Sequence, residues 1–500
     1  MKHQVNKLVF KRLGINTQHE HFVYMREDCQ VCISEGFEAL TRIRVANGKK
    51  SIVASLNVVR SQILKAGEIS LSESAMHALR ISEGENITVS HLQPIDSLSY
   101  VRAKIFGNKL TPGQFREIIG DIVNGNYSNI HLSAFMTACA GNRMQIDEIV
   151  SLTEAMINTG RRMQWPGDCI VDKHCIGGLP GNRTTPIIVS IVSALGLTMP
   201  KTSSRAITSP AGTADTMEVM APVVLTMQQI KKVVEKEGGC IAWGGAALLS
   251  PADDILIKVE KALDIDSEGQ LIASVLSKKV SAGSGYVIID MPVGETAKLR
   301  SIEAANLLKV QMEKVAHAIG LKLKVIITDG SQPVGRGIGP ALEARDVLAV
   351  LKNAPDAPAE LRERALLLAG ELLELSGKVE PGEGNDEARK VLDSGKAYEK
   401  FLAICKAQGG FVEPKTAGYR HDIKAECAGV VTKVDNRLLS KVAKLAGAPD
   451  DKASGVDFMA PIGSKVEQGQ TLLVVHAESK GELEYALEYL SSQKKIIEIT

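Results

Sequence analysis

Aromatic side chains are scarce: Phe, Tyr and Trp together make up 4% of the 500 residues, with only two tryptophans. That argues against the aromatic platforms on which proteins stack unpaired bases. An excess of charge of either sign is missing too, since 59 Lys and Arg face 58 Asp and Glu. No basic field is left over for nucleic acid or an anionic membrane, and neither is expected as a partner. Eight cysteines are too few for a disulfide framework in a chain of this length. Cys29 and Cys32 form a C-x-x-C, but a zinc site needs a second pair or two suitably placed histidines, and only His19 and His21 lie near. The pair is expected to pack within a strand, and no metal is expected. Long apolar runs are absent as well. Pro186 to Met199 is the longest such region, is interrupted by Ser190, Ser193 and Gly196, and reads as a buried helix too short for a bilayer. The opening MKHQVNKLVF lacks the apolar core of a signal peptide, so a soluble cytoplasmic protein is expected.

What is present is organised in blocks, and the length allows roughly three domains. Residues 1–92 read as β-rich: Ala39–Val45 and Ser51–Val58 alternate in part, with Asn47-Gly48 between them as a hairpin turn. A short helix starts near Ser72, and Ile87–Val89 offers a further strand. Helices follow. Thr111-Pro112 is a cap with Pro at the first helical position, and Phe115, Ile118, Ile119 and Ile122 share one face. Ile130–Ala140 and Asp147–Asn158 are two more. After Trp165 the pattern becomes strand, glycine loop, helix. Cys169–Val171 runs into Asp172-Lys173-His174-Cys175-Ile176-Gly177-Gly178, and Leu321–Ile327 leads to the glycine-rich Gly335–Pro340. This indicates an α/β sheet with a site at its strand ends. Neither glycine loop has Walker or Rossmann spacing.

The densest chemistry lies between Asp172 and Glu218. Lys173, Lys201 and Arg205 are cations; Thr185, Ser203, Ser204, Thr208, Ser209 and Thr213 are hydroxyls; Gly177, Gly178 and Gly212 let backbone N–H groups approach a ligand. Such a set fits a buried oxyanion, with phosphate the obvious candidate. A single Ser or Thr is usually a cap or turn former; the block as a whole points further.

DKHCIGG followed by KTSSRAITSPAGTADTMEV resembles the thymidine/pyrimidine-nucleoside phosphorylases, and its second half looks most like their AMP phosphorylase branch. The resemblance runs from about Tyr100 to the C-terminus, and the N-terminal extension also looks like that branch. It implies an α/β fold class: a helical domain (96–163, with about 252–282 returning to it), an α/β domain (166–250 and 285–422), and small β-rich domains at 1–92 and 426–500. Ala460–Gln470 with Leu472–Val475 resembles a biotinyl/lipoyl-type half-barrel but has no exposed lysine turn, so an accessory role is expected. The resemblance also implies phosphorolysis of an N-glycosidic bond, inorganic phosphate as co-substrate, no cofactor, and a homodimer or larger homo-oligomer.

Carried onto this chain, the family's phosphate contacts fall on Lys173, Thr185 and Ser203. Its substrate contacts fall on Gly178, Ser204, Arg205, Ala206, Ile207, Thr208, Ser209, Thr213, Ser274 and Lys298. Asp266 matches the proton donor of AMP phosphorylases, with Asp264 as the alternative, and His174 would meet base or sugar. Such a donor needs a carboxyl raised by burial. Two positions depart from the pattern. Cys175 stands where the family usually has Ser, and a thiol is a weak donor. Ile257 and Glu260 stand where thymidine phosphorylases place a Tyr and an Arg against thymine, which favours a nucleoside 5′-monophosphate such as AMP. Thymidine phosphorylase remains one alternative. A phosphoribosyltransferase using diphosphate with Mg²⁺ is a second, and a nucleotide-binding protein without catalysis a third.

Overall fold

The computed structural model describes residues 7–500 apart from 19, 49, 168, 207, 208, 247, 248, 264, 266, 494 and 495. The chain divides into two compact units, Met1–Ala138 with Ile255–Asp264, and Cys139–Asp254 with Ile265–Thr500.

The first unit opens with six strands: β1 (Lys7–Phe10), β2 (Phe22–Arg26), β3 (Arg42–Asn47), β4 (Lys50–Val59), β5 (Glu68–Leu71) and β6 (Asn86–His91). They close into a barrel in the order β1-β5-β2-β4-β3-β6. Alternating residues such as Ile43, Val45, Leu56, Ile69, Leu71, Ile87 and Val89 fill its core. Two local expectations shift here. Asn47 belongs to β3 and pairs with Lys50, so the hairpin loop begins one residue later than expected. Cys29 and Cys32 lie not in a strand but at the cap and in the body of a helix, Gln30–Glu35, which Gly36 ends in the left-handed conformation. Both thiols are buried in the barrel core. Ser72 caps the helix Glu73–Leu79 as expected, accepting from Ala75 N. Thr111 forms a full capping box with Gln114 on the helix Pro112–Val123, whose Phe115, Ile118, Ile119 and Ile122 are buried.

The second unit holds the α/β sheet. Strands β7 (Val171–Cys175), β10 (Tyr286–Val293) and β11 (Lys322–Asp329) form a parallel sheet in the order β11-β10-β7, and β8 (Met199–Ser203) pairs in parallel with β9 (Gly239–Trp243). A parallel bridge from Ile170 to Thr198 joins the two sets. The first strand therefore starts later than the sequence indicates and runs through the Asp-Lys-His-Cys motif itself. The apolar region after Pro186 is helical only in part: the helix covers Thr185–Ala194, and Met199 already begins β8. Helices Ile146–Thr159 and Glu268–Ser281 pack with β10 around Ile149, Ile272, Leu276 and Ile289.

The C-terminal region adds β12 (Gly337–Ile338), β13 (Tyr419–Lys424), β14 (Gly429–Val434), β15 (Gly455–Phe458), β16 (Lys465–Val466), β17 (Thr471–Ala477) and β18 (Ile497–Ile499). They form two antiparallel sheets, β12-β15-β17-β13 and β16-β14-β18, around a core that includes Val431, Leu439, Val442 and Val475. One member was not expected: β12 comes from the glycine-rich loop of the α/β region. That loop also lies against the first glycine loop, since a Cβ on Gly181 would sit 2.9 Å from Gly335 N.

Asp346 holds this loop in shape. Its Oδ2 accepts from the backbone N–H of Arg336 and of Gly337, each at 2.7 Å. Burial pushes the carboxyl up to about 7, with Asp457 adding to the rise and the two N–H groups and Arg336 opposing it. A folded-state proton affinity above the unfolded one stabilises the fold fully at low pH, and that contribution is lost as pH rises through the folded value. Wild-type stability relative to Asp346→Asn should therefore fall, by on the order of 3 kcal/mol, between about pH 4 and pH 7. Denaturation midpoints across that range test this; parallel pH curves would refute it.

Candidate active site

All five parallel strands point their carboxyl ends at one group of loops, the place where open α/β sheets bind ligands. Period-two alternation sends successive residues of β7 to opposite faces. Lys173 and Cys175 share one face with Asp290 of β10, and Asp172 and His174 share the other.

On the first face Lys173 is 2% exposed, and its Nζ donates to Thr184 Oγ1 at 2.9 Å, with Asp290 Oδ2 at 3.7 Å. Asp290 also accepts from Asn182 Nδ2 at 2.8 Å and Thr328 Oγ1 at 2.7 Å. Burial alone would raise this carboxyl, but Lys173 and Arg364 hold it below its ordinary range. Cys175 is clamped in the same network, its Sγ 3.3 Å from Asn182 Nδ2. Burial and Asp290 both raise the thiol, so it stays protonated.

On the second face Asp172 is buried between two cations, with Lys279 Nζ at 2.7 Å from Oδ2 and Lys201 Nζ at 3.2 Å from Oδ1. Burial opposes the charge, yet the two lysines pull the carboxyl below its ordinary value. Burial drives Lys279 down to about 7, against the pull of Asp172. His174 is lowered well below its usual value by burial and then by Lys279, Lys201, Lys278 and Lys173. It is a neutral imidazole at physiological pH.

Of the residues expected at the site, Ser203 ends β8, and its buried Oγ has no hydrogen-bond partner among the described residues. Thr213 opens the next helix, and its Oγ1 accepts from Arg183 Nη1 at 2.9 Å. Gly178 is exposed on the loop after β7. Thr185 is buried as the first residue of its helix, while Thr184 before it is the hydroxyl on Lys173. Arg205 turns towards carboxylates, bonding Asp215 at 3.1 Å and Glu218 at 2.6 Å, and lies over the Trp243 ring at 5.2 Å. Ser204 is exposed, Ala206 N donates to Asp215, and Ser209 Oγ donates to Ala211 O. Ser274 is half-buried on the helix Glu268–Ser281, one turn before Lys278. Lys298 is exposed on the loop after β10. Ile207, Thr208 and Asp266 lie outside the described residues, as do Asp264 and His19.

Sequence reasoning missed Asp172, Thr184, Lys278, Lys279 and Asp290 as members of this network. One trace was visible: Asp290 is a lone carboxylate in the apolar strand YVIIDMPV, and an ionisable group there needs a paired cation. Among the described residues, the carboxylates paired with Lys173, Lys201, Lys278 and Lys279 are Asp290, Asp172 and, on Lys278 at 2.7 Å, Asp253. Four lysines against three carboxylates leave a small positive balance, which lessens as Lys279 gives up its proton near pH 7 and which favours an anionic ligand.

Family descriptions match in three places: a glycosyl transferase family helical bundle domain over residues 98–160, the a/b domain of that family over 167–398, and a pyrimidine nucleoside phosphorylase C-terminal domain over 430–497. A Legionella pneumophila (strain Corby) protein named "Putative thymidine phosphorylase" is 55% identical over 99% of this chain and 96% of its own. The chain belongs to the thymidine/pyrimidine-nucleoside phosphorylase family. A Hahella chejuensis (strain KCTC 2396) protein of the same name is also 55% identical, over 99% of this chain and 98% of its own. These alignments extend beyond the three matched domains and take in the N-terminal barrel of this family member. Among solved structures, an anthranilate phosphoribosyltransferase from Thermus thermophilus superposes with a TM-score of 0.51 at 19% identity, over 62% of this chain and 98% of its own. That likeness concerns the fold alone, and it agrees with the helical-plus-α/β architecture. No helix among the described residues is long and apolar enough to cross a membrane.

The setting of His174, half-buried and surrounded by four lysines, has a direct spectroscopic consequence. Its ring nitrogens should keep neutral-imidazole ¹⁵N shifts down to pH 6, with the resonance assigned by its loss in His174→Gln. An imidazolium spectrum at pH 6.5 would refute the account of its surroundings.

Proposed function

We propose that this protein cleaves the N-glycosidic bond of a nucleoside or nucleoside 5′-monophosphate with inorganic phosphate. The products are free base and (deoxy)ribose 1-phosphate, or ribose 1,5-bisphosphate from AMP. The carrying observation is the buried Ser203 hydroxyl at the carboxyl end of β8, which has no hydrogen-bond partner among the described residues. A buried donor without a partner is costly, and an anionic oxygen placed there would satisfy it.

In this reading Lys173, Thr184, Ser203 and Thr213 hold phosphate with one oxygen towards the anomeric carbon, so that the entropy of bringing nucleophile and carbon together is met on binding. The pre-placed lysines and hydroxyls hold the phosphate dianion at little cost of reorganisation as the sugar becomes cationic. His174, being neutral, offers the departing base or the sugar a hydrogen bond without adding charge. Asp266 is the candidate that protonates the base, since a base anion leaves poorly. Cys175 spends its contacts on Asn182 and Asp290, so phosphate binding at this turn falls to backbone N–H groups.

Ile257 and Glu260 favour a nucleotide such as AMP over thymidine, because an aliphatic side chain and an acid cannot replace a Tyr and an Arg against thymine. Lys298 is then the candidate for the 5′-phosphate. The names of the relatives favour thymidine instead.

Base release by the purified protein, with and without phosphate, from thymidine, uridine, AMP and CMP decides between these. Phosphate-dependent release from AMP or CMP is expected. Release from thymidine alone would overturn the specificity reading, and no release from any substrate would favour a binding protein. Lys173→Met should lower turnover of the accepted substrate about 100-fold or more.

A further inference from the structure

Between the two hydroxyls read as phosphate ligands, the chain makes an excursion and returns. Ser203 closes β8 and Thr213 begins the following helix. The limbs of this excursion touch: a Cβ on Gly212 would lie 2.5 Å from Arg205 C and 2.6 Å from Ala206 N. At their meeting point lies one carboxylate. Asp215, 2% exposed, accepts through Oδ2 from Ala206 N at 2.6 Å and from Gly212 N at 2.9 Å. Its Oδ1 takes Arg205 Nη1 at 3.1 Å. Arg205 continues to both oxygens of Glu218, and Lys452 Nζ stands 3.3 Å from Glu218 and 3.7 Å from Asp215. Lys452 is anchored in turn, its carbonyl accepting from Ala341 N at 2.9 Å.

A carboxylate that takes two backbone N–H groups from opposite ends of a loop fixes the distance between those ends. The flanking cations hold its second oxygen, so it cannot rotate away without breaking charge-assisted bonds. We infer that Asp215 is a positioning residue whose carboxylate ties Ala206 to Gly212 and so brings Ser203 and Thr213 to bear on one oxyanion, with Lys452 coupling that tie to the C-terminal region. The inference rests on reading those two hydroxyls as phosphate ligands.

Phosphate kinetics and amide hydrogen exchange on the full chain test it, using Ser203→Ala, Asp215→Ala and Asp215→Asn. Ser203→Ala and Asp215→Ala should each raise KM for inorganic phosphate about tenfold or more while kcat falls less. Asp215→Ala should also lose exchange protection at Ala206 and Gly212. Asp215→Asn, whose amide oxygen can still accept both N–H groups, should fall between it and wild type. It carries the test if the alanine variant fails to fold. A folded Asp215→Ala protein with wild-type KM, beside a raised KM in Ser203→Ala, would overturn the positioning role and leave the phosphate reading intact. Equal KM in the Asn and Ala variants, with unchanged exchange, would overturn it too. A wild-type KM in Ser203→Ala would sink the phosphate assignment and this inference with it.

Discussion

Asp172, Lys201 and Lys279 form the contact on which this site depends. Each is almost completely removed from water, and a buried charge is tolerated only while its partners stay in place. The three come from β7, β8 and the helix Glu268–Ser281, so no one of these elements can shift without stranding a charge. Taking one partner from a buried pair costs roughly 3–5 kcal/mol, which is large beside the stability of a whole domain. That cost makes the strand ends a rigid platform rather than a set of loops, and it fixes where Lys173 and His174 point.

The same strand separates two kinds of chemistry. On one face Lys173 is matched by Asp290, and the hydroxyls of Thr184 and Thr328 complete the set. On the other, desolvation first and the surrounding lysines second keep the imidazole of His174 uncharged. A five-residue strand thereby carries a charge-paired lysine on one face and a neutral imidazole on the other.

Much of the local structure could be read from the chain because its determinants are local. The Thr111-Pro112 start, the Ser72 cap and the alternation of the barrel strands depend on neighbours within a few residues, and the strand-loop-helix succession announces the α/β region. The family could be recognised for a related reason: its motif is contiguous. What escaped was set by partners far along the chain. Lys279 has meaning only beside Asp172, 107 residues away. The Asp-Lys-His-Cys motif looked like a loop because polar residues rarely fill a central strand, yet Asp172 finds Lys201 and Lys279, Lys173 finds Thr184 and Asp290, and Cys175 finds Asn182. Cys29 and Cys32 looked like strand residues because apolar neighbours surround them, and Gly36, which ends their helix, gives no clue to it by itself. Which of two adjacent threonines meets Lys173 turned on where the helix Thr185–Ala194 begins, and helix starts are seldom fixed to the residue by sequence.

The pairing of β12 with β15 bears on the order in which this protein is made. Gly337 finds its partner in Asp457, 120 positions later in the chain. At synthesis rates of about 5–20 residues per second, that partner emerges roughly ten seconds after the glycine-rich loop. Until then the loop packed against Gly181 has an unpaired strand edge. In that interval the edge is open to wrong pairing, and its length of two residues keeps that hazard small.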